Sequence, residues 1–224
     1  MRESIGTRGG AAALVLAAAA LLGAGCGKSP SGAESAGEPA ISRRIVANEL
    51  RAQAVFDREN PEIAPLASAR PGEVAVLLFV TTDCPIANGY GPEIGRIRAD
   101  CVSRGARFAA IHVDPELAIE DAWRHAKEFD LGESVFIDRR HLLVDALGIR
   151  VTPEAAVLVA EDRDHWRLDY RGRIDDLYVD FGQRRAEAST PDLRLAIDRA
   201  LAGTKGELVL TRAIGCYVPE LGDR

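Results

Sequence analysis

The sequence predicts a layered α/β domain, a central sheet flanked by helices, with an extension at each end. Three observations predict it. The stretch 73–80, EVAVLLFV, is a continuous apolar run rich in β-branched residues, the pattern of a strand buried on both faces. From about residue 72 strand-like and helix-like segments alternate, the order that builds a sheet covered by helices. Near the end, Leu193, Ala196, Ile197, Ala200 and Leu201 fall on one helical stripe.

Residues 1–26 read as an export signal. Arg2 and Arg8 give a positive start, and the apolar run AAALVLAAAALL at 11–22 is shorter than the roughly 20 residues a membrane-spanning helix needs. LLGAGC then closes on small residues before Cys26, in the manner of a bacterial lipoprotein signal whose cysteine is lipidated, with Gly23 where Leu or a similar residue is usual. Plain cleavage near residues 24–26 is the alternative. Either route places the mature protein outside the cytoplasm, in the periplasm or cell envelope, and lipidation would tie it to the membrane. Residues 27–41, rich in Gly, Ser, Pro and Ala, form a flexible tether. Residues 42–67 read as a helix or arm packed on the domain.

The domain itself spans 68–204. After the strand at 73–80 come a helix at 87–104 and a strand at 106–114. A helix at 115–130 follows, with Ala118, Ala122, His125 and Phe129 on one stripe. Next are a strand at 134–138, a short helix at 141–148 ended by Gly148, and a strand at 154–160. In 166–172, Trp166, Leu168 and Tyr170 alternate, so one face of that strand is covered. Thr190 can cap the last helix, Pro191 suits its first turn and Gly203 stops it. The C-terminal extension, 205–224, carries Cys216 and reads as an added edge strand.

Of 224 residues, 47% are apolar and 28% charged, which is ordinary for a globular protein. The net charge of −6 and the absence of any basic run longer than two residues exclude nucleic acid as a partner. The four histidines, His112, His125, His141 and His165, share no metal-ligand spacing, so no metal site and no cofactor are expected. Asp175 and Asp176 read as a solvated turn, with a cation site as the sharper alternative. Arg171 and Arg173 are candidates for holding a substrate carboxylate.

The chemistry concentrates at FVTTDCPIANGYGPEI, 79–94. Cys84 lies where a buried strand passes into a helix, so unsatisfied backbone N–H groups and the positive end of the helix dipole favour the thiolate, the nucleophilic form. Pro85 fits the first helical turn, while the Asp83 carboxylate opposes ionisation of its neighbour. Thr81 or Thr82 is expected to hydrogen-bond the sulfur. An inert buried cysteine is the bland alternative. Downstream, Thr152-Pro153 precedes a strand. A cis X–Pro bond there can set the Thr152 backbone beside the thiol, where its N–H and C=O could pair with an extended thiol-bearing peptide.

Taken with TDCPIANGYGPEI, HAKEF, TPEAAVLV and YRGRIDD, this order resembles the thioredoxin fold in its redoxin branch, as in exported bacterial proteins related to alkyl hydroperoxide reductases and peroxiredoxins. The resemblance covers about 68–204. It implies a central mixed sheet flanked by helices, Cys84 as the redox cysteine and Pro153 as the cis-proline. The departures are specific. Ala87 stands where a dithiol reductase carries its second cysteine. Where peroxiredoxins carry a Pro and a Thr ahead of the cysteine, Thr81 fits and Leu77 replaces the proline. Glu154 and two alanines follow Pro153 in place of an active-site arginine. Asn88 breaks the Cys-x-x-x-Cys signature of copper-delivery members.

Two other thiols remain. Cys101 lies far along the helix that follows Cys84, and at about 1.5 Å per residue it is too distant to pair, so it reads as packing. Cys216, in TRAIGCYVP, is the candidate resolving thiol, able to attack an oxidised Cys84 and form a Cys84–Cys216 bond. A structural cysteine pinning the tail is the alternative. The reading reached is an exported thiol–disulfide oxidoreductase or thiol peroxidase acting on a protein disulfide or a peroxide, recharged by a thiol electron donor. A non-catalytic module binding copper or a partner protein is the alternative. Both redox versions need the Cys84 sulfur to be reachable.

Overall fold

The structure, a computed structural model, describes residues 42–57 and 62–222. The signal, Cys26 and the tether lie outside them. A nine-stranded mixed sheet forms the centre. Its spine is β4 (Val74–Val80), parallel to β5 (Arg107–His112) on one side and antiparallel to β8 (Glu154–Ala160) on the other. Beyond β5 lies β6 (Val135–Ile137), parallel; beyond β8 lies β9 (His165–Gly172), antiparallel.

All seven residues of β4 are buried, and they divide by parity. Val74, Val76, Leu78 and Val80 enter one hydrophobic cluster; Ala75, Leu77 and Phe79 enter the other. That is why the segment shows no polar alternation: each face meets its own core. The first cluster packs α2 (Gly91–Ser103), α3 (Ile119–Glu128) and α5 (Asp192–Leu201) on the sheet through Ile94, Ile97, Ala122, Leu193 and Ile197. The second packs α4 (Leu142–Leu147) with Leu50, Leu66 and Trp166.

Three sequence expectations are corrected. The helix at 87–104 is two helices, α1 (Pro85–Gly89) and α2, meeting at Tyr90. Pro92 has no N–H to continue the ladder from α1, so a new helix starts there. The helix at 115–130 is shorter at its start. The Asp114 carboxylate accepts from Glu116 N at 2.9 Å, turning the chain before α3 begins. Thr190 does not cap α5: the helix begins one residue later than that requires, with Pro191, which has no side-chain acceptor, at the cap position. Of the two readings of residues 42–67, the described residues form a packed arm and not an α-helix. β1 (Arg44–Val46) pairs antiparallel with β9 at one sheet edge, and β2 (Ala52–Ala54) pairs with β6 at the other, with β3 (Glu62–Ile63) outside it. This segment therefore runs from one edge of the sheet to the other.

A small antiparallel pair, β10 (Tyr178–Asp180) and β11 (Gln183–Arg184), stands between β9 and α5. The C-terminal extension returns to the domain twice. β12 (Val209–Leu210) runs parallel to β9, and Thr211 packs so closely on Gly172 that a Cβ there would meet its hydroxyl at 2.1 Å. β13 (Cys216–Tyr217) then pairs antiparallel with β7 (Val151–Thr152), the strand that leads into Pro153.

Candidate active site

β4 ends at Val80, and the turn 81–84 delivers Cys84 to the N-cap position of α1 with extended backbone angles (φ −76°, ψ 108°). Pro85 follows in the first turn, needing no N–H partner. The helix directs Ala87 N–H at the Cys84 sulfur, 3.4 Å away. From the opposite side the Thr152 carbonyl accepts from Cys84 Sγ at 3.0 Å. The Thr152–Pro153 peptide is cis. A thiolate at Cys84 would keep the Ala87 N–H; the Thr152 carbonyl is a partner that only the protonated thiol can use.

Cys216 arrives on β13 in direct register with Thr152, so both thiols converge on one residue. Burial pushes the Cys216 thiol up to about 11, and its hydrogen bond to Cys84 and the charges of Cys84 and Asp83 push the same way. Cys216 is therefore a neutral thiol at physiological pH. Both thiols are free, and no bond joins them. Gly215 makes the approach possible: a Cβ on it would lie 1.9 Å from the Thr152 carbonyl oxygen.

The expectation of a reachable Cys84 is corrected: the residue is 0% exposed. Asp83 and Pro85 are exposed at the rim. Thr81 and Thr82 do not supply the hydrogen bond expected of them. The Thr81 hydroxyl pairs with Thr152 Oγ1 at 3.2 Å, tying the end of β4 to β7, and Thr82 contributes its carbonyl to Asn88 Nδ2 at 2.9 Å. Thr152 and Pro153 are buried against the thiol pair, where the sequence placed a groove.

Behind the site the 148–154 loop is clamped. Glu154 accepts from Arg150 N at 3.0 Å and pairs with Arg171 Nε at 3.3 Å; Arg171 also donates to the Gly148 carbonyl. Burial raises the Glu154 carboxyl above its usual range, opposed by the Arg150 N–H and Arg171. Arg171 is thus a buried structural cation, and Arg173, partly exposed, pairs with Asp192 through Nε at 2.8 Å. Asp175 and Asp176 are not a solvated turn: both are buried and hydrogen-bonded within the chain. Asp175 accepts from Tyr90 Oη and Leu177 N, and Asp176 from Ser189 and Thr190. Cys101 is buried in the core, as its packing role requires.

Sequence reasoning missed one polar chain beneath the turn. Asn88 Oδ1 can only accept, so His125 Nε2 donates to it at 2.9 Å; His125 Nδ1 then accepts from His112 Nε2 at 2.9 Å. Burial lowers both imidazoles, His112 to about 3, so both are neutral. The chain fixes Asn88, which in turn holds the Thr82 carbonyl. His125 shared an apolar helical stripe, and nothing in the sequence joins it to His112 or Asn88.

A β-strand, the thiol turn, alternating helices and strands, and an X–Pro strand entry facing the thiol now stand in one order around one mixed sheet. The fold is thioredoxin-like. No protein-family model matches the chain, and neither does any curated protein. Among solved structures, an uncharacterized conserved protein from Geobacillus kaustophilus is similar at 22% identity and a TM-score of 0.63, over 80% of this chain and 92% of that one. A hypothetical protein from Sinorhizobium meliloti 1021 is similar at 21% identity and a TM-score of 0.62, over 80% and 94%. A thiol:disulfide interchange protein of the thioredoxin family from Chlorobium tepidum TLS aligns at 16% identity and a TM-score of 0.47, over 71% and 98%. The first two share the thioredoxin-like fold with this chain; the third fits too loosely to bear on its chemistry.

Proposed function

We propose that this chain is an exported thiol–disulfide oxidoreductase of the redoxin type in which Cys84 is the nucleophile and Cys216 the resolving thiol. The observation that supports it is the convergence of both thiols on Thr152: Cys84 Sγ donates to its carbonyl, and Cys216 pairs with it in strand register. In the forward direction the Cys84 thiolate attacks one sulfur of a substrate disulfide. A mixed disulfide forms, and the leaving thiolate takes up a proton. Cys216, losing its proton, then attacks the Cys84 sulfur and expels the second substrate thiol. Two electrons pass from the protein to the substrate, and a Cys84–Cys216 disulfide remains for a thiol donor to reduce.

A disulfide substrate is favoured over a peroxide because the Cys84 sulfur is hydrogen-bonded to Ala87 N and Thr152 O, and among the described residues no cation pairs with it to polarise a peroxide oxygen. Arg171 is committed to Glu154 and Gly148. Were a peroxide used, Cys84 would become a sulfenic acid and Cys216 would condense with it, releasing water, to the same disulfide.

Titrating the reduced protein with oxidised glutathione tests the reading. Two protein thiols should disappear for two glutathione thiols released, and Cys216→Ser should stall as a stable Cys84–glutathione adduct. No loss of protein thiols, with no glutathione thiol released, would end the proposal. A second reading follows from the same two sulfurs: a soft ion such as Cu(I) suits a pair of thiolates. Stoichiometric Cu(I) binding lost in Cys84→Ser, without disulfide exchange, would favour it. Export and an N-terminal lipid on Cys26 belong to the proposal as well; labelled palmitate should enter the wild-type chain and not Cys26→Ala.

A further inference from the structure

The extension is held at two places of unequal strength. At 209–211 it is fastened: β12 pairs with β9, Thr211 N donates to Arg171 O at 3.1 Å, and the Thr211 hydroxyl meets Tyr170 Oη at 2.7 Å and Arg173 N at 3.1 Å. Beyond it, none of residues 212–222 is buried, and Tyr217 is 85% exposed. The second fastening is short: the two pairs of β13 on β7, one further bond, Val218 N to Arg150 O at 3.0 Å, and three half-buried side chains, Ile214 and Cys216 against one core cluster and Val218 against the other. Yet this light second contact lies across a thiol with no exposure at all. Segments with few buried apolar contacts open at low cost while the core stays folded.

We propose that residues 212–222 form a displaceable strand that gates Cys84, pivoting on the 209–211 anchor, and that Gly215 is the positioning residue that seats it. The inference rests on the redox reading, because a gate over an idle thiol would serve nothing, but its test reads access and not exchange. Gly215 carries the fit. A Cβ on this residue would fall 1.9 Å from the Thr152 oxygen and 2.6 Å from its carbonyl carbon, and both are backbone atoms that cannot rotate aside. Alanine there must lift the strand from β7. With the strand seated, Cys216 is presented to Cys84 and the edge of Val151–Thr152 is filled. With it lifted, both the sulfur and that edge are free for an incoming disulfide.

The test is pulse labelling of the reduced full chain with iodoacetamide at neutral pH, resolved cysteine by cysteine by peptide mass spectrometry. Gly215→Ala should label Cys84 about tenfold faster than wild type, as overpacking of the seat predicts. Cys101, also buried, reports global loosening and should stay protected in both. Equal Cys84 rates in the two chains, or Cys84 and Cys101 rising together, would overturn the gate. Hydrogen exchange on the wild type gives an answer that no variant can spoil. The Val218 amide should exchange about a hundredfold faster than that of Leu77 in β4, and equal rates would overturn the gate. Fast Cys84 labelling in Gly215→Ala together with no glutathione exchange in wild type would keep the gate and remove the redox reading. Normal exchange with unaltered labelling would do the reverse.

Discussion

At the scale of single residues the site depends on unequal partners. Cys216 is held protonated in its seat, to about 11, first by burial and then by Cys84 and Asp83. Released into water, a thiol ionises near 8.5. The seated form therefore binds the proton more tightly, and the stability this lends the seat is complete below the free value and lost as pH rises through about 11. Cys84 labelling, corrected for the rate of a free thiol, should accelerate over that window; a flat corrected profile would contradict the assignment. Glu154 and Arg171 act through charge in a different way. Their side chains are only 5% and 8% exposed. Glu154→Gln removes the carboxylate that faces a buried guanidinium and should lower stability by about 3 kcal/mol, read by urea denaturation. Adding Arg171→Met should recover much of that loss, because the stranded charge goes with it. If the double variant is no better than the single, the pair is not the clamp described.

The elements show what the sequence made legible and what it hid. β4, β8 and α5 were readable because each carries enough residues to display a period. The break between α1 and α2 was also written, in Gly91-Pro92, but the apolar stripe continued across it and hid the missing N–H. β1, β2 and β3 are two or three residues long, too short for any alternation to register, so residues 42–67 carried no strand signal. The start of α4 is set by a residue outside it. Asp138 accepts from the N–H groups of Leu142, Leu143 and Val144 at 2.9, 2.8 and 2.9 Å. Burial raises its carboxyl, and those three donors oppose the shift. Asp138→Ala should cost about 2 kcal/mol and lower the thermal midpoint by about 5 °C. An unchanged melt would mean that these bonds are replaced by water without loss.

Across the whole molecule, function depends on segments far apart in sequence meeting at β7. Cys84, the Thr152–Pro153 entry and Cys216 were each visible as candidates from local chemistry. The cis entry beside the thiol was expected and is present, but the pairing of Cys216 with Thr152 was not readable, because a two-residue strand in a tail has no pattern that names its partner. The burial of Cys84 was open in the sequence, where a reachable and a buried thiol were both possible readings; the structure sets it in the core cluster beside Ile86, Ala87 and Tyr90. The His112–His125–Asn88 chain was hidden likewise, being assembled from β5, α3 and α1. The account stands on the pairing of Cys84 with Cys216, and disulfide mapping of the oxidised chain measures it directly. Oxidation with one equivalent of diamide, alkylation of the remaining thiols and peptide mass spectrometry should find a Cys84–Cys216 linked peptide with Cys101 alkylated after unfolding. Cys84 linked to Cys101, linked between chains, or still free while Cys216 is oxidised elsewhere would contradict the account.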